Sequence, residues 1–226
     1  MDVTLLDKTN WLNASQVSFG MKLKQEQFPN FKILTASPFL NYNANKFSLD
    51  NLLIDDKGNH VIKDGTFFIL HSLGRHWVNL FLLLGNIDNI LTYFTWVLLT
   101  NYEGDFDEWH LYDSLNEEGY RKSMSVILGE ISQIFPETFH MFLNNRDVQR
   151  QEGINDCGFF ALAYMYTLCS GNNPSLCAYN QSKMRDHYNN CNKNKIFEAF
   201  PHTSLKRNHI NDKKHEYNVK KDKWET

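Results

Sequence analysis

Cysteine is scarce in this chain, with four residues in 226. That density is far below a disulfide scaffold, so the thiols are expected to be free, metal-bound or, in one case, nucleophilic, in a reducing compartment. An excess of either charge is also lacking. Lys and Arg number 23 against 26 Asp and Glu, net −3, with a pI of about 6.3, which is not the footprint of a dedicated nucleic-acid binder. No repeat or low-complexity tract is present. The first residues, MDVTLLDKTN, lack a basic stretch followed by an apolar one, so no secretory signal is expected. Long uninterrupted apolar runs are missing too. The nearest is 77–100, which Asn79, Asn86, Asp88 and Asn89 interrupt. As a membrane span it would hold Asp88 near the bilayer centre at a cost of roughly 2.5–3.5 kcal/mol. Two buried strands around a polar turn at 85–89 explain it better. The expectation is an intracellular protein, of nucleus or cytoplasm, a monomer with no membrane or specific nucleic-acid partner and no cofactor.

What is present is a chain able to bury a core, 42% hydrophobic against 22% charged. Asn13 reads as an N-cap with Gln16 three residues on, predicting a helix to about 25. Strands are predicted at 31–34, 66–73, 109–112 and 138–143 from their aromatic and branched residues. Helical spacing of Val126, Ile127, Ile131 and Ile134 predicts a helix over 119–135. Residues 158–169 are apolar nearly all round, as a central buried helix is. A further helix is predicted over 181–192. After Pro201 the chain turns polar and basic, with seven Lys and Arg against four acids in 202–226; this predicts a disordered tail after a domain spanning 1–201. Strands and helices interleave without a strict alternating rhythm, which predicts an α+β fold.

Four positions stand out chemically. Cys157, in Asn155-Asp156-Cys157-Gly158, sits just before the buried helix. A thiol there feels the positive helix end and the amides it leaves without intrahelical partners, both of which favour thiolate. The plain alternative is a small packed hydrophobe. Gly158 leaves space for a substrate backbone. Gln151, six residues before Cys157, is a neutral donor suited to an oxyanion, or an ordinary loop residue. His76 follows a strand and can serve as a base for a thiol. Asp113 ends another strand and can hold an imidazole in one tautomer. Either is, taken singly, unremarkable. Cys169, Cys177, His187 and Cys191 lack the short knuckle spacing of a zinc site.

In combination, His76-Trp77, then Tyr112-Asp113-Ser114-Leu115, then Gln151 and Asp156-Cys157-Gly158 resemble the SUMO-specific cysteine protease family, related in fold to the adenovirus protease. Trp11-Leu12-Asn13 is similar to the family's amino-terminal Trp-Leu-Asn-Asp segment, with Ala14 in place of the acid. Met184-Arg185-Asp186-His187 and Phe200-Pro201 resemble a subgroup of transposon-associated members. The resemblance covers about 11–201 and implies a mixed sheet packed on a central helix that carries the nucleophile. It implies hydrolysis after the Gly-Gly end of a ubiquitin-like protein, SUMO first and NEDD8 second. In that scheme Cys157 attacks, His76 is base and then acid, and Asp113 orients His76. Gln151 and the Cys157 N–H hold the oxyanion, while Trp77 and Trp11 wall a channel that admits only glycine. A binding pseudoenzyme, or a protease with another substrate, is the alternative.

One feature departs from the family. Asp113 lies 37 residues after His76, where the family has about half that separation, and Trp-Val occurs at both 77–78 and 96–97. Residues 78–96 therefore read as an insertion beside the expected base. Deleting them is expected to raise solubility and labelling by a thiol-reactive SUMO probe. A deletion variant that unfolds while the full chain is active would make the segment integral.

Overall fold

The computed structural model describes residues 11–34, 66–72, 95–102, 108–115, 140–207, 210–218 and 223–225. Asn13 opens α1 (Ala14–Gln27) as expected. Its side chain accepts the Gln16 N–H at 2.9 Å, and Gln16 Oε1 accepts the Asn13 N–H at 2.8 Å. This complete capping box satisfies amides that a helix start otherwise leaves without partners. Gln25 then ties the helix to the next strand. Its Nε2 donates to the Phe31 carbonyl at 2.8 Å and its Oε1 accepts the Ile33 N–H at 2.7 Å.

Among the described residues, seven strands form one mixed sheet. They are β1 (Lys32–Leu34), β2 (Thr66–Ser72), β3 (Thr95–Thr100), β4 (Glu108–Tyr112), β5 (His140–Asn145), β8 (Lys213–Asn218) and β9 (Lys223–Glu225), ordered β1-β2-β3-β4-β5-β8-β9. The β1–β2 and β4–β5 pairs are parallel and the rest antiparallel. A separate ribbon pairs β6 (Cys177–Tyr179) with β7 (His202–Ser204). With its helices gathered apart from an irregular strand rhythm, the fold is α+β, as the sequence predicts.

Helix α2 (Cys157–Cys169) is buried at every residue but Tyr166. It packs on β2 and β3, and against α1 and α3 (Gln181–Asn194). A helix of this composition is stable only when covered on all sides. The approach to α1 is made at Gly20, where an added Cβ would come within 3.1 Å of both Leu162 and the Phe197 ring. Phe159, Tyr188 and Phe197 meet edge to face at 5.7–6.1 Å behind it, a favoured aromatic geometry.

Three expectations change. Where the sequence predicts a disordered tail, the described residues of 202–226 include strands β7, β8 and β9. The open edge of β5 pairs with β8 from His140↔Asn218 to Asn145↔Lys213, and backbone pairing of an exposed edge is indifferent to side-chain polarity. Ion pairs anchor the approach, Arg207–Asp147 at 3.0 Å and Arg146–Asp212 at 3.2 Å. Second, the strand expected over 138–143 runs on past residue 143, as His140–Asn145. Third, β3 begins at Thr95, so the last two residues assigned to the insertion belong to the sheet, paired with Ser72 and His71. Deleting 78–96 would remove these two paired residues and join Trp77 directly to Val97. The rest of that segment and the expected helix over 119–135 lie outside the described residues.

Lys24 on α1 is fully buried. Its ammonium lies 3.0 Å from the ring centre of Tyr166, 4.4 Å from Phe28 and 5.0 Å from Phe197. The ring faces attract the cation, while burial opposes it and lowers the Lys24 pKa from 10.5 to about 7, against a smaller upward pull from Cys169 and Cys191. Between about 7 and 10.5 the unfolded chain therefore binds the extra proton, and this group's penalty falls as pH rises. Lys24→Met is expected to stabilise the protein at pH 7. Urea unfolding should show the gain shrinking toward pH 10, by up to about 1.4 kcal/mol per pH unit; a gain independent of pH would contradict the assignment.

Candidate active site

The candidate site grows from two chain segments that meet where Ser114 binds Gln151. The first is the end of β4. Asp113 and Ser114 follow the strand directly and are 2% and 1% exposed. Asp113 Oδ1 accepts the Leu115 N–H at 2.8 Å, an Asx turn that bends the chain after the strand. Asp113 also acts electrostatically on Tyr164 of α2, whose pKa is raised well above 10.0 by burial first, then by Tyr179 and Asp113. The phenol stays protonated and donates to the Gln149 carbonyl at 2.9 Å.

The second segment runs from Gln151 to Cys157. The Gln151 N–H donates to the Ser114 carbonyl at 2.9 Å. The Ser114 hydroxyl donates to Gln151 Oε1 at 2.6 Å. With its oxygen so engaged, the amide has one orientation, and its NH2 group is the end left to donate. One of those hydrogens goes to the Gly153 carbonyl at 3.0 Å; the other suits a developing oxyanion. Gln151 is thus a buried, oriented donor. Ser114 was missed as a site residue. Its signal was its place beside Asp113 in Tyr112-Asp113-Ser114-Leu115.

Cys157 is the first residue of α2 and is 1% exposed. It takes the helix-end position that favours thiolate. The other thiols are held in the neutral form. Burial pushes Cys169 up to about 12 and raises Cys177 and Cys191. Gly158 is buried within the first turn. Trp11 is half-buried against the core just ahead of the capping box. The structure therefore ties the segment after Asp113 to Gln151 through Ser114, and Cys157 heads α2 six residues further along the chain. His76 and Trp77 lie outside the described residues. Of the four residues weighed for zinc, His187 Nε2 and Cys191 Sγ are 3.5 Å apart on α3.

No family model and no curated protein matches this sequence. Solved structures do. The carboxy-terminal Ulp1 protease domain in complex with Smt3, the yeast orthologue of SUMO, matches over 84% of this chain and 80% of its own, at 15% identity and a TM-score of 0.50. The fold is that of the Ulp1 protease domain. The Ulp1-like SUMO protease catalytic domain of Chaetomium thermophilum matches over 86% of this chain and 77% of its own, at 16% identity and a TM-score of 0.44. The Xanthomonas campestris effector XopD, bound to ubiquitin, matches over 84% and 95%, at 10% identity and a TM-score of 0.43. The Ulp1-like fold agrees with the mixed sheet and central helix that the sequence resemblance implies.

The contrast among the thiols gives a direct test. Iodoacetamide at pH 7.5, with peptide mass spectrometry, is expected to alkylate Cys157 at least about tenfold faster than Cys169, Cys177 or Cys191, because reactivity follows thiolate fraction. Faster labelling of Cys169 would remove Cys157 as the nucleophile.

Proposed function

We propose that this protein is a cysteine peptidase that hydrolyses the peptide or isopeptide bond after the Gly-Gly end of a ubiquitin-like protein, with SUMO as the leading substrate and NEDD8 as the second. The observation that carries this reading is Cys157 at the head of a buried helix, six residues from a Gln151 amide locked by Ser114. The Ulp1-like fold supports it. The family resemblance supplies the substrate class.

In this mechanism the Cys157 thiolate attacks the carbonyl carbon of the terminal glycine. The carbonyl oxygen becomes an oxyanion and takes hydrogen bonds from Gln151 and the Cys157 N–H. His76, having taken the thiol proton, returns it to the leaving amine as the C–N bond breaks and the thioester forms. Water then attacks the thioester with His76 again as base, releasing the acid and the thiol. Asp113 holds the imidazole and stabilises its charged form. Trp77 and Trp11 wall the channel. The carboxylate earns this role sterically as well as by charge, since it follows β4 directly and stays buried.

The 37-residue interval between His76 and Asp113 favours one second reading, a pseudoenzyme that binds a ubiquitin-like protein without cleaving it. A SUMO carboxy-terminal thiol-reactive probe separates the two. Covalent labelling lost in Cys157→Ser supports the peptidase; binding without labelling supports the pseudoenzyme. Neither binding nor labelling by SUMO or NEDD8 probes would reject both. With a fluorogenic SUMO substrate, Gln151→Ala is expected to lower kcat by about 10²–10³-fold with little change in KM. An unchanged kcat would remove Gln151 from the mechanism.

A further inference from the structure

The residue beside the nucleophile poses an electrostatic problem. Asp156 is the N-cap of α2, yet its side chain makes no capping hydrogen bond. A carboxylate one residue from a thiol opposes ionisation of that thiol, because like charges disfavour one another in a poorly hydrated site. Asp156 is only 16% exposed in its side chain, so water screens it weakly. Its charge is met instead by Arg185 of α3, whose Nη2 donates to Asp156 Oδ1 at 2.6 Å and is itself 13% exposed.

The same helix grips the loop at further points. Gln181 and Arg185 are four residues apart and so share one face of α3. Gln181 Nε2 donates to Asp156 Oδ2 at 2.6 Å and to the Glu152 carbonyl at 2.8 Å, and its Oε1 accepts the Glu152 N–H at 2.8 Å. Arg185 also donates to the Asn155 carbonyl at 3.4 Å, and its guanidinium lies 4.9 Å from the ring centre of Phe159 in α2. The loop has little apolar anchorage of its own: Ile154 is 52% exposed and Gly153 takes the left-handed conformation at φ +70°. Ser114 fixes the Gln151 end of the loop; α3 fixes the Cys157 end.

We propose that Arg185 is a positioning residue for the nucleophile: it neutralises the Asp156 carboxylate beside Cys157 and, with Gln181, sets the loop that joins the oxyanion donor to the thiol. This rests on the reading of Cys157 as nucleophile, but it has a readout that needs no substrate. Arg185→Met leaves Asp156 as an uncompensated anion. The full chain carrying it is expected to alkylate Cys157 with iodoacetamide at pH 7.5 about tenfold more slowly than the wild type, the effect of one adjacent like charge. Adding Asp156→Asn to that variant removes the offending charge and should bring the rate back to within about threefold. Arg185→Lys, which keeps the charge but not the fork, should fall between. A purely structural clamp predicts no such recovery, since the double variant has lost both partners.

If the wild type turns over the SUMO substrate, Arg185→Met should lower kcat about tenfold or more with KM within about twofold. If it does not, the peptidase reading fails while the alkylation series still decides the role of Arg185. Wild-type alkylation by Arg185→Met, or no recovery in the double variant with unchanged circular dichroism, overturns the proposal. Should Arg185→Met not fold, Arg185→Gln reads the same comparison, and equal rates in it and the wild type overturn the proposal.

Discussion

A helix with no free face constrains everything around it. Helix α2 has twelve of its thirteen residues buried, so the sheet must cover one side and α1 and α3 the others. Their placement is thereby set by the need to keep water from Phe159, Phe160, Leu162 and Met165. The Cys157 end of the helix inherits that rigidity. A thiol at the head of such a helix cannot drift without moving the core, and the dipole that favours its charged form is fixed in direction. Gly20 shows how tight the fit is, since a methyl group there would make the Leu162 and Phe197 side chains give by a few tenths of an ångström.

Around that fixed point the rest of the site is held by short polar stitches. Ser114 holds the Gln151 amide through its hydroxyl and holds the Gln151 backbone through its carbonyl. Gln181 holds Glu152 and Asp156. Tyr164 reaches Gln149 from within α2. Each stitch joins segments far apart in sequence, and each buried or half-buried polar atom used in this way avoids a desolvation cost of roughly 1–3 kcal/mol. A polar loop can therefore be as well defined as the core it borders.

Much of this was legible in the residues alone. The capping box at Asn13, the all-apolar stretch before Cys169 and the aromatic strands carry strong local signals, because periodicity and capping are short-range effects. Asp113 and Cys157 could be named as candidates because each sits at the end of an element, and Gln151 because it precedes Cys157 by six residues. Other features had no local signature. Strand β8 is Lys213–Asn218, polar and charged, and it is a strand because β5 offers an unpaired edge. The role of Ser114 depends on a partner 37 residues away. Arg185 looked like part of a subgroup motif, and only its distance to Asp156 shows a charge being met. Of the two Trp-Val pairs, the one at 96–97 lies in β3, paired with His71 and Leu70.

The long reach of these contacts bears on how the protein is made. Tyr188 of α3 donates to the Gln16 carbonyl of α1, 172 residues earlier, and Asp147 and Asp212 meet across 65 residues. During synthesis on a ribosome, α1 and the sheet edge at β5 emerge well before the segments that complete them. Non-local closure of this kind is slow, and the unfinished chain shows an open strand edge and uncovered faces of α1 and α2 meanwhile. A nascent chain halted before α3 would already contain Cys157 but not the helix that steadies the loop beside it. Translation thus delivers Cys157 before its surroundings are complete.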